Sequence, residues 1–290
     1  MGKFGRALEL TKQSGRVLMS DKRLMVFPVL SSIACLAVLA TFALPMVMLV
    51  DWKAAFEGAH GAEHVRVRTE WWWFVVTFAY YFCNFFVITF FNSALIACAI
   101  NRFHGRPSGV GDGLSVAMSR LPQIAAWSLV SATVGTILQM LQERAGFIGK
   151  IVLNLIGMVW TIGTFFVVPV LVVERVGPIA AIGRSVEILK KTWGESLISN
   201  LGIGAITAIL VVVGFLVFGG VVAASVAMQS IWPAIAAGVA LVVYLVALAL
   251  ISTTLKGILL AATYEFASTG AVPDGFDGDL LRGAFRPKGG

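Results

Sequence analysis

Six long apolar stretches, at about 24–50, 71–100, 122–142, 147–173, 196–227 and 232–255, constrain this chain more than any other feature. Each can cross a bilayer as a helix, which takes about 20 apolar residues. In hydrocarbon the backbone must satisfy its own hydrogen bonds, and a helix does so within one segment. The expected fold is therefore all-α, a polytopic membrane protein of six transmembrane helices. Composition leaves room for little else: 58% of residues are hydrophobic and 13% charged, whereas soluble domains carry about 25% charged residues. The polar stretches are short, and chains below about 40 residues rarely bury a core of their own. Three parts are expected: a basic segment over 1–23, a six-helix membrane domain over 24–268, and a tail over 269–290. The apolar run from Leu24 to Val50 exceeds the roughly 7–15 residues of a signal-peptide core, so it reads as a retained first span.

Basic residues set the orientation. Seventeen of the 22 Lys and Arg residues fall in the N-terminal segment, the connectors after spans two and four, and the C-terminal part. The other five are Lys53, Arg66, Arg68, Arg144 and Lys150. The positive-inside rule puts both termini in the cytoplasm. Trp71, Trp72 and Trp73 open span two and Trp232 opens span six, all on the opposite side, where tryptophan suits the membrane–water interface.

Before each odd-numbered span lies a short segment of helical periodicity. In the first, Leu8, Thr11, Gly15 and Leu18 share a face opposite Arg6, Glu9, Lys12, Gln13 and Arg16. In the second, the face is Leu114, Met118 and Leu121; in the third, it is Ile182, Val186, Leu189 and Trp193, against Arg184, Glu187, Lys190 and Lys191. Gly5-Arg6, Glu9 and Lys12 match Gly183-Arg184, Glu187 and Lys190. This suggests a threefold unit of a cytoplasmic amphipathic interfacial helix followed by a hairpin of two spans. Such helices lie among headgroups with cations toward anionic lipid, each Lys or Arg contributing about 1 kcal/mol. Arg6, Lys12, Arg16, Arg184, Lys190 and Lys191 are the expected lipid-surface contacts. Basic residues divided among four segments do not form the single stripe of a nucleic-acid binder, so no nucleic-acid partner is expected.

Chemistry-bearing groups are sparse. Glu57, His60 and His64 would share a helical face, but Gly58 and Gly61 interrupt it, and a solvated loop fits better than a metal site. His104 lies in a turn-rich connector without an evident partner. Asp274, Asp277 and Asp279 lack the ligand series of a calcium loop; the tail is instead expected to dock through Phe276, Leu280, Leu281 and Phe285. Cys35, Cys83 and Cys98 lie inside spans and read as packing residues. No catalytic, cofactor-binding or metal-binding residues are assigned, and an enzyme is not expected. Within the spans, Asn84, Asn92, Asn154 and Gln139 either join helices, as buried amides commonly do, or line a polar path. Ion-coupled carriers generally need ionisable groups in the membrane, and their scarcity argues against a pump. Gly202, Gly214, Gly219 and Gly220 give span five the small residues that let helices approach closely, so it is expected to pack centrally or against another subunit.

Three stretches carry a family likeness: IGRSVEILKKTWGESL at 182–197, AATYEFASTG at 261–270 and GFDGDLLRGAFRPK at 275–288. With VFPVLSSI at 26–33 they resemble a family of uncharacterised bacterial integral membrane proteins, a domain of unknown function. Glu265 stands where the family's tail motif implies a basic residue. The resemblance implies six spans and a bacterial source, and brings no functional residues; the expected location is the inner membrane. The expected function is non-enzymatic, a membrane-organising or regulatory role through lipid contact and homo-oligomer formation. The alternative is a passive channel or a lipid or solute transporter formed by an oligomer.

Overall fold

The computed structural model describes residues 3–49, 71–191, 195–227, 229–278 and 280, and among these there is no strand. The helices are α1 (Lys3–Ser20), α2 (Val26–Leu49), α3 (Trp71–Phe103), α4 (Val110–Ser119) and α5 (Leu121–Arg144), then α6 (Phe147–Gly163), α7 (Val167–Glu174), α8 (Pro178–Lys191), α9 (Glu195–Ala227) and α10 (Trp232–Thr269). Six segments are long and apolar enough to cross a membrane, with α6 and α7 together forming the fourth. The Glu57, His60 and His64 loop and the tail residues Asp279, Leu281 and Phe285 lie outside the described residues.

The buried core gathers at one end of the bundle, where the basic connectors converge. One cluster joins Leu10 and Val17 of α1, Leu24, Phe27 of α2, Leu95 of α3, Ile203 of α9 and Ile258 of α10. The other joins Trp127, Phe166, Leu171, Ile188 and Tyr264. Burying each large side chain contributes about 1.5–3 kcal/mol in water-referenced terms. Toward the other end the helices expose Val, Leu and Ile, as lipid-facing segments do. Span two is the most enclosed segment, with 44% of its apolar window buried, and it touches α2, α4, α5, α7 and α10.

Span five is not central. Only 6% of its window is buried, and it packs chiefly on α10. Tyr244 lies over Gly214, its Cε1 only 2.5 Å from where a Cβ would stand, and its hydroxyl donates to the Leu210 carbonyl at 2.8 Å. Gly202 is buried, whereas Gly219 and Gly220 face open space.

Three further differences have local causes. The helix of span six does not stop near residue 255; it runs to Thr269, because Ile258, Leu259, Ala261, Ala262 and Tyr264 are buried by neighbouring elements at the basic end. Gly270, in the left-handed region at φ 75°, closes it. Span four is not one helix: it breaks at residues 164–166. Pro169, the third residue of α7, cannot donate to the Phe165 carbonyl, and its ring crowds the preceding turn. Finally, the packed faces of the short helices are rotated. In α1 the buried set is Leu10, Gln13, Ser14, Val17 and Leu18, while Leu8 is exposed. In α4 it is Gly113 and Ala117, with Met118 exposed. A Cβ on Gly113 would lie 2.6 Å from Cys98 Sγ and 2.7 Å from the Ala94 carbonyl, so small size lets α4 press onto α3.

Candidate functional site

The densest polar arrangement surrounds the break in span four. Between α6 and α7 the backbone leaves the helical ladder, freeing the Gly163 carbonyl and the Phe166 N–H. Ser185 of α8, fully buried, serves both. Its hydroxyl donates to the Gly163 carbonyl at 2.7 Å and accepts from the Phe166 N–H at 3.0 Å. Irregular backbone at membrane depth persists where protein groups satisfy it. Trp127 and Trp160 stack beside the break at 6.0 Å, and Phe166 faces Tyr264 at 6.5 Å.

About two turns beyond the break, Glu174 at the end of α7 accepts twice through Oε1. Arg184 Nε donates at 3.0 Å and the Tyr264 hydroxyl at 3.0 Å. Arg184 Nη1 also donates to Glu187 Oε2 at 2.8 Å. The hydrogen bonds to Glu187 and then Glu174 raise the Arg184 pKa above its ordinary value. Arg184, expected at the lipid surface, ties α8 to α7, because two carboxylates lie within reach of one guanidinium. Arg120, nearly buried, donates from Nε to the Val172 carbonyl at 3.2 Å, anchoring the start of α5 to α7. Burial, and then the neighbouring Arg175, lower its pKa. Arg175 itself takes the left-handed conformation at φ 58°, turning the chain from α7 toward α8.

His104 has a partner after all. Its Nε2 lies 3.2 Å from Glu265 Oε1, and its Nδ1 lies 2.9 Å from the Ile100 carbonyl. Both ring nitrogens face oxygen atoms. Glu265 is 8% exposed in its side chain. Glu265 therefore joins the end of α3 to the end of α10. Chain distance hid this pair, as it hid Glu174 with Tyr264; among the described residues neither contact has a local spacing signal.

The intramembrane amides do not converge into one path. Asn84 Nδ2 donates to the Tyr80 carbonyl of its own helix at 2.9 Å, and Asn92 is half-buried one helix section away. Gln139 and Asn154 do come together, with Gln142, Glu143 and Lys150, around an open cavity of about 360 Å³ between α5 and α6. There Tyr81 donates to Gln139 Oε1 at 2.6 Å, Gln139 donates to Glu143 at 3.2 Å, and Gln142 donates to Asn154 at 3.2 Å. These bonds join α3 to α5 and α5 to α6.

Of the basic residues expected at the lipid surface, Lys12, Arg16 and Lys190 are exposed; the side chains of Arg6 and Lys191 lie outside the described set. Glu9 tempers the first two, at 4.0 Å from Lys12 Nζ and 3.1 Å from Arg16 Nη2. The tail covers the far flank of α1. Phe276 is buried against Phe103, edge to face at 5.8 Å, and the Asp277 N–H donates to Gln13 Oε1 at 3.2 Å. Gln13, read from the sequence as a polar-face residue, is buried because the tail closes over it.

No curated protein and no solved structure matches the chain. A family profile does match, over residues 72–275. It begins in α3 and ends just before the buried Phe276, so it leaves out α1, α2 and most of the GFDGDLLRGAFRPK tail. With more than half of its length matched, from the central helix through the broken fourth span to the start of the tail, the chain belongs to the family of unknown function DUF6159.

Proposed function

We propose that this chain is a non-enzymatic component of the bacterial inner membrane that organises or regulates its surroundings through lipid contact and self-association. Its six spans form three hairpins, each introduced by an interfacial helix (α1, α4 and α8), with both termini in the cytoplasm. The observation that carries this reading is the outer surface of the α9–α10 pair. Leu216, Val217, Val243 and Val246 are more than half exposed there, while Gly219 and Gly220 open onto nothing. A helix face with small residues and no neighbour among the described residues suits a second copy, since close backbone approach drives helix association in lipid. The exposed Lys12, Arg16 and Lys190 supply cations for anionic headgroups.

The competing reading is a passive channel or a lipid or solute carrier. The interhelical bonds of Gln139 and Asn154, with Asn84 turned to its own helix, favour helix joining over a continuous polar route. Reconstitution tests the choice. Crosslinking in liposomes is expected to trap homo-oligomers through α9, and Gly220→Leu is expected to reduce that yield severalfold. Solute release from the same liposomes is expected to match protein-free controls. A leak that Asn84→Leu abolishes would overturn the proposal in favour of the channel.

A further inference from the structure

Beside the tail, α1 and the end of α3 enclose a cavity of about 420 Å³, within the roughly 300–1,000 Å³ of small-molecule sites. Its polar lining is two arginines, a serine and an aspartate: Arg16, Arg102, Ser20 and Asp274. We propose that it binds the headgroup of a phosphatidylethanolamine-type lipid, the phosphate on Arg102 and Arg16 and the ammonium on Asp274.

The charges argue for a zwitterion over a plain anion. Arg102 Nη2 donates to Ser20 Oγ at 3.1 Å, and Ser20 Oγ in turn donates to the Val17 carbonyl at 2.7 Å. Among the described residues Arg102 meets no carboxylate, so its remaining donors are available to a phosphate. Arginine's planar fork suits that geometry. Arg16 is shared with Glu9 and adds a second, weaker cation. Asp274, exposed on the same wall, would repel an anion that carried no positive group. A primary ammonium attached to the phosphate converts that repulsion into a charge-assisted hydrogen bond. Quaternary choline cannot donate, and its usual partner is a cage of aromatic rings, which this lining lacks.

The wall is held in shape. Gly275 adopts φ 89°, and a Cβ there would meet Val17 Cγ2 at 3.0 Å, so the tail loop sits tight on α1. Phe276 beyond it is fixed against Phe103. The surroundings supply a place for acyl chains. Met19, next to Ser20, is 77% exposed, and Val26, Val29 and Ile33 continue an apolar surface along α2. This placement rests on the membrane-surface position proposed above for α1.

The test titrates the purified full chain in detergent with short-chain phosphatidylethanolamine, phosphatidylcholine and phosphatidylglycerol, and separately with phosphoethanolamine and inorganic phosphate, read by native mass spectrometry. The ethanolamine lipid is expected to bind several-fold tighter than the other two lipids. Arg102→Ala should weaken it roughly tenfold or more, the loss of one bond to a charged group. Asp274→Asn, at an exposed position, should erase the preference for ethanolamine over choline with an unchanged thermal midpoint. If Arg102→Ala fails to fold, Arg102→Lys decides, because it keeps the charge and loses the fork. Equal affinity for the three lipids, or a preference surviving Asp274→Asn, overturns the proposal. So does displacement of the lipid by phosphoethanolamine or inorganic phosphate at equal concentration, which would mark a soluble phosphate as the ligand. The measurement uses no bilayer, so its failure is separable from failure of the self-association reading.

Discussion

Ser185 shows how much one side chain can carry when the backbone around it is broken. Its hydroxyl replaces two ladder hydrogen bonds at once. Ser185→Ala would leave a buried N–H and a part-buried carbonyl without that partner, at about 1–3 kcal/mol for the buried group. A clear fall in thermal midpoint is expected, whereas Thr161→Ala, whose hydroxyl bonds its own helix at an exposed site, should stay within about 0.5 kcal/mol. Equal midpoints for the two variants would show that Ser185 does not hold the break. Glu174 is the second such residue. Glu174→Ala strands the Arg184 and Tyr264 donors and should lower the midpoint, while Glu187→Ala removes an exposed surface pair of about 0–1 kcal/mol. Thermal unfolding of the two variants side by side checks the order. None of this was legible in the sequence: Glu174 is ten residues from Arg184 and ninety from Tyr264. His104 looked solitary for the same reason, since Glu265 is brought to it only by the packing of α10 on α3.

At the scale of elements, the amphipathic pattern located the short helices α1, α4 and α8 and some of the residues they bury, such as Leu18 and Leu189, but not Gln13, Ser14, Gly113 or Ala117. A hydrophobic stripe marks the buried face when water is the alternative. Beside a bilayer, lipid accepts the large apolar residues, and the protein contact falls to small ones such as Gly113 and Ala117. Gly113→Ala is therefore expected to be costly, about 1–3 kcal/mol from overpacking, because a backbone carbonyl stands in the way and cannot swing aside. Gly111→Ala, two residues earlier with open space around it, should be neutral or slightly stabilising. Yield and thermal midpoint of the pair distinguish a close helix contact from a general intolerance of α4. The same contrast applies in span five. Gly214→Val should push Tyr244 aside and loosen α9 from α10, lowering the midpoint, whereas Gly219→Leu should leave it unchanged in the dispersed protein.

For the molecule as a whole, packing is concentrated at the end where the basic connectors, the tail and both buried clusters meet. Further along α9 and α10, Tyr244 bonds the Leu210 carbonyl and packs on Phe218. Removing the tail from residue 271 onward should uncover Gln13, Val17 and Phe103, and make the N-terminal helix more accessible to protease. Limited proteolysis, comparing the truncated and full chains, reads this directly; an unchanged cleavage pattern at α1 would mean the tail does not hold it. Proteases, or thiol reagents against single cysteines introduced near each end, applied from each side of sealed vesicles are expected to find both termini on one face, and termini on opposite faces would remove the basis for the three-hairpin arrangement.

The helical class and six segments long and apolar enough to cross a membrane follow from the sequence alone, because about 20 consecutive apolar residues have a single stable state in hydrocarbon. That argument is local and needs no knowledge of neighbours. Which span lies at the centre, where span four breaks, how far α10 extends and which charges pair were decided by tertiary packing. Span five carried the small residues yet lies at the edge, and span two carried the large aromatics yet lies at the centre. Lipid and protein are nearly equivalent solvents for an apolar side chain, so hydrophobicity does not rank helices by depth within a bundle; complementary shape and the few polar partners do.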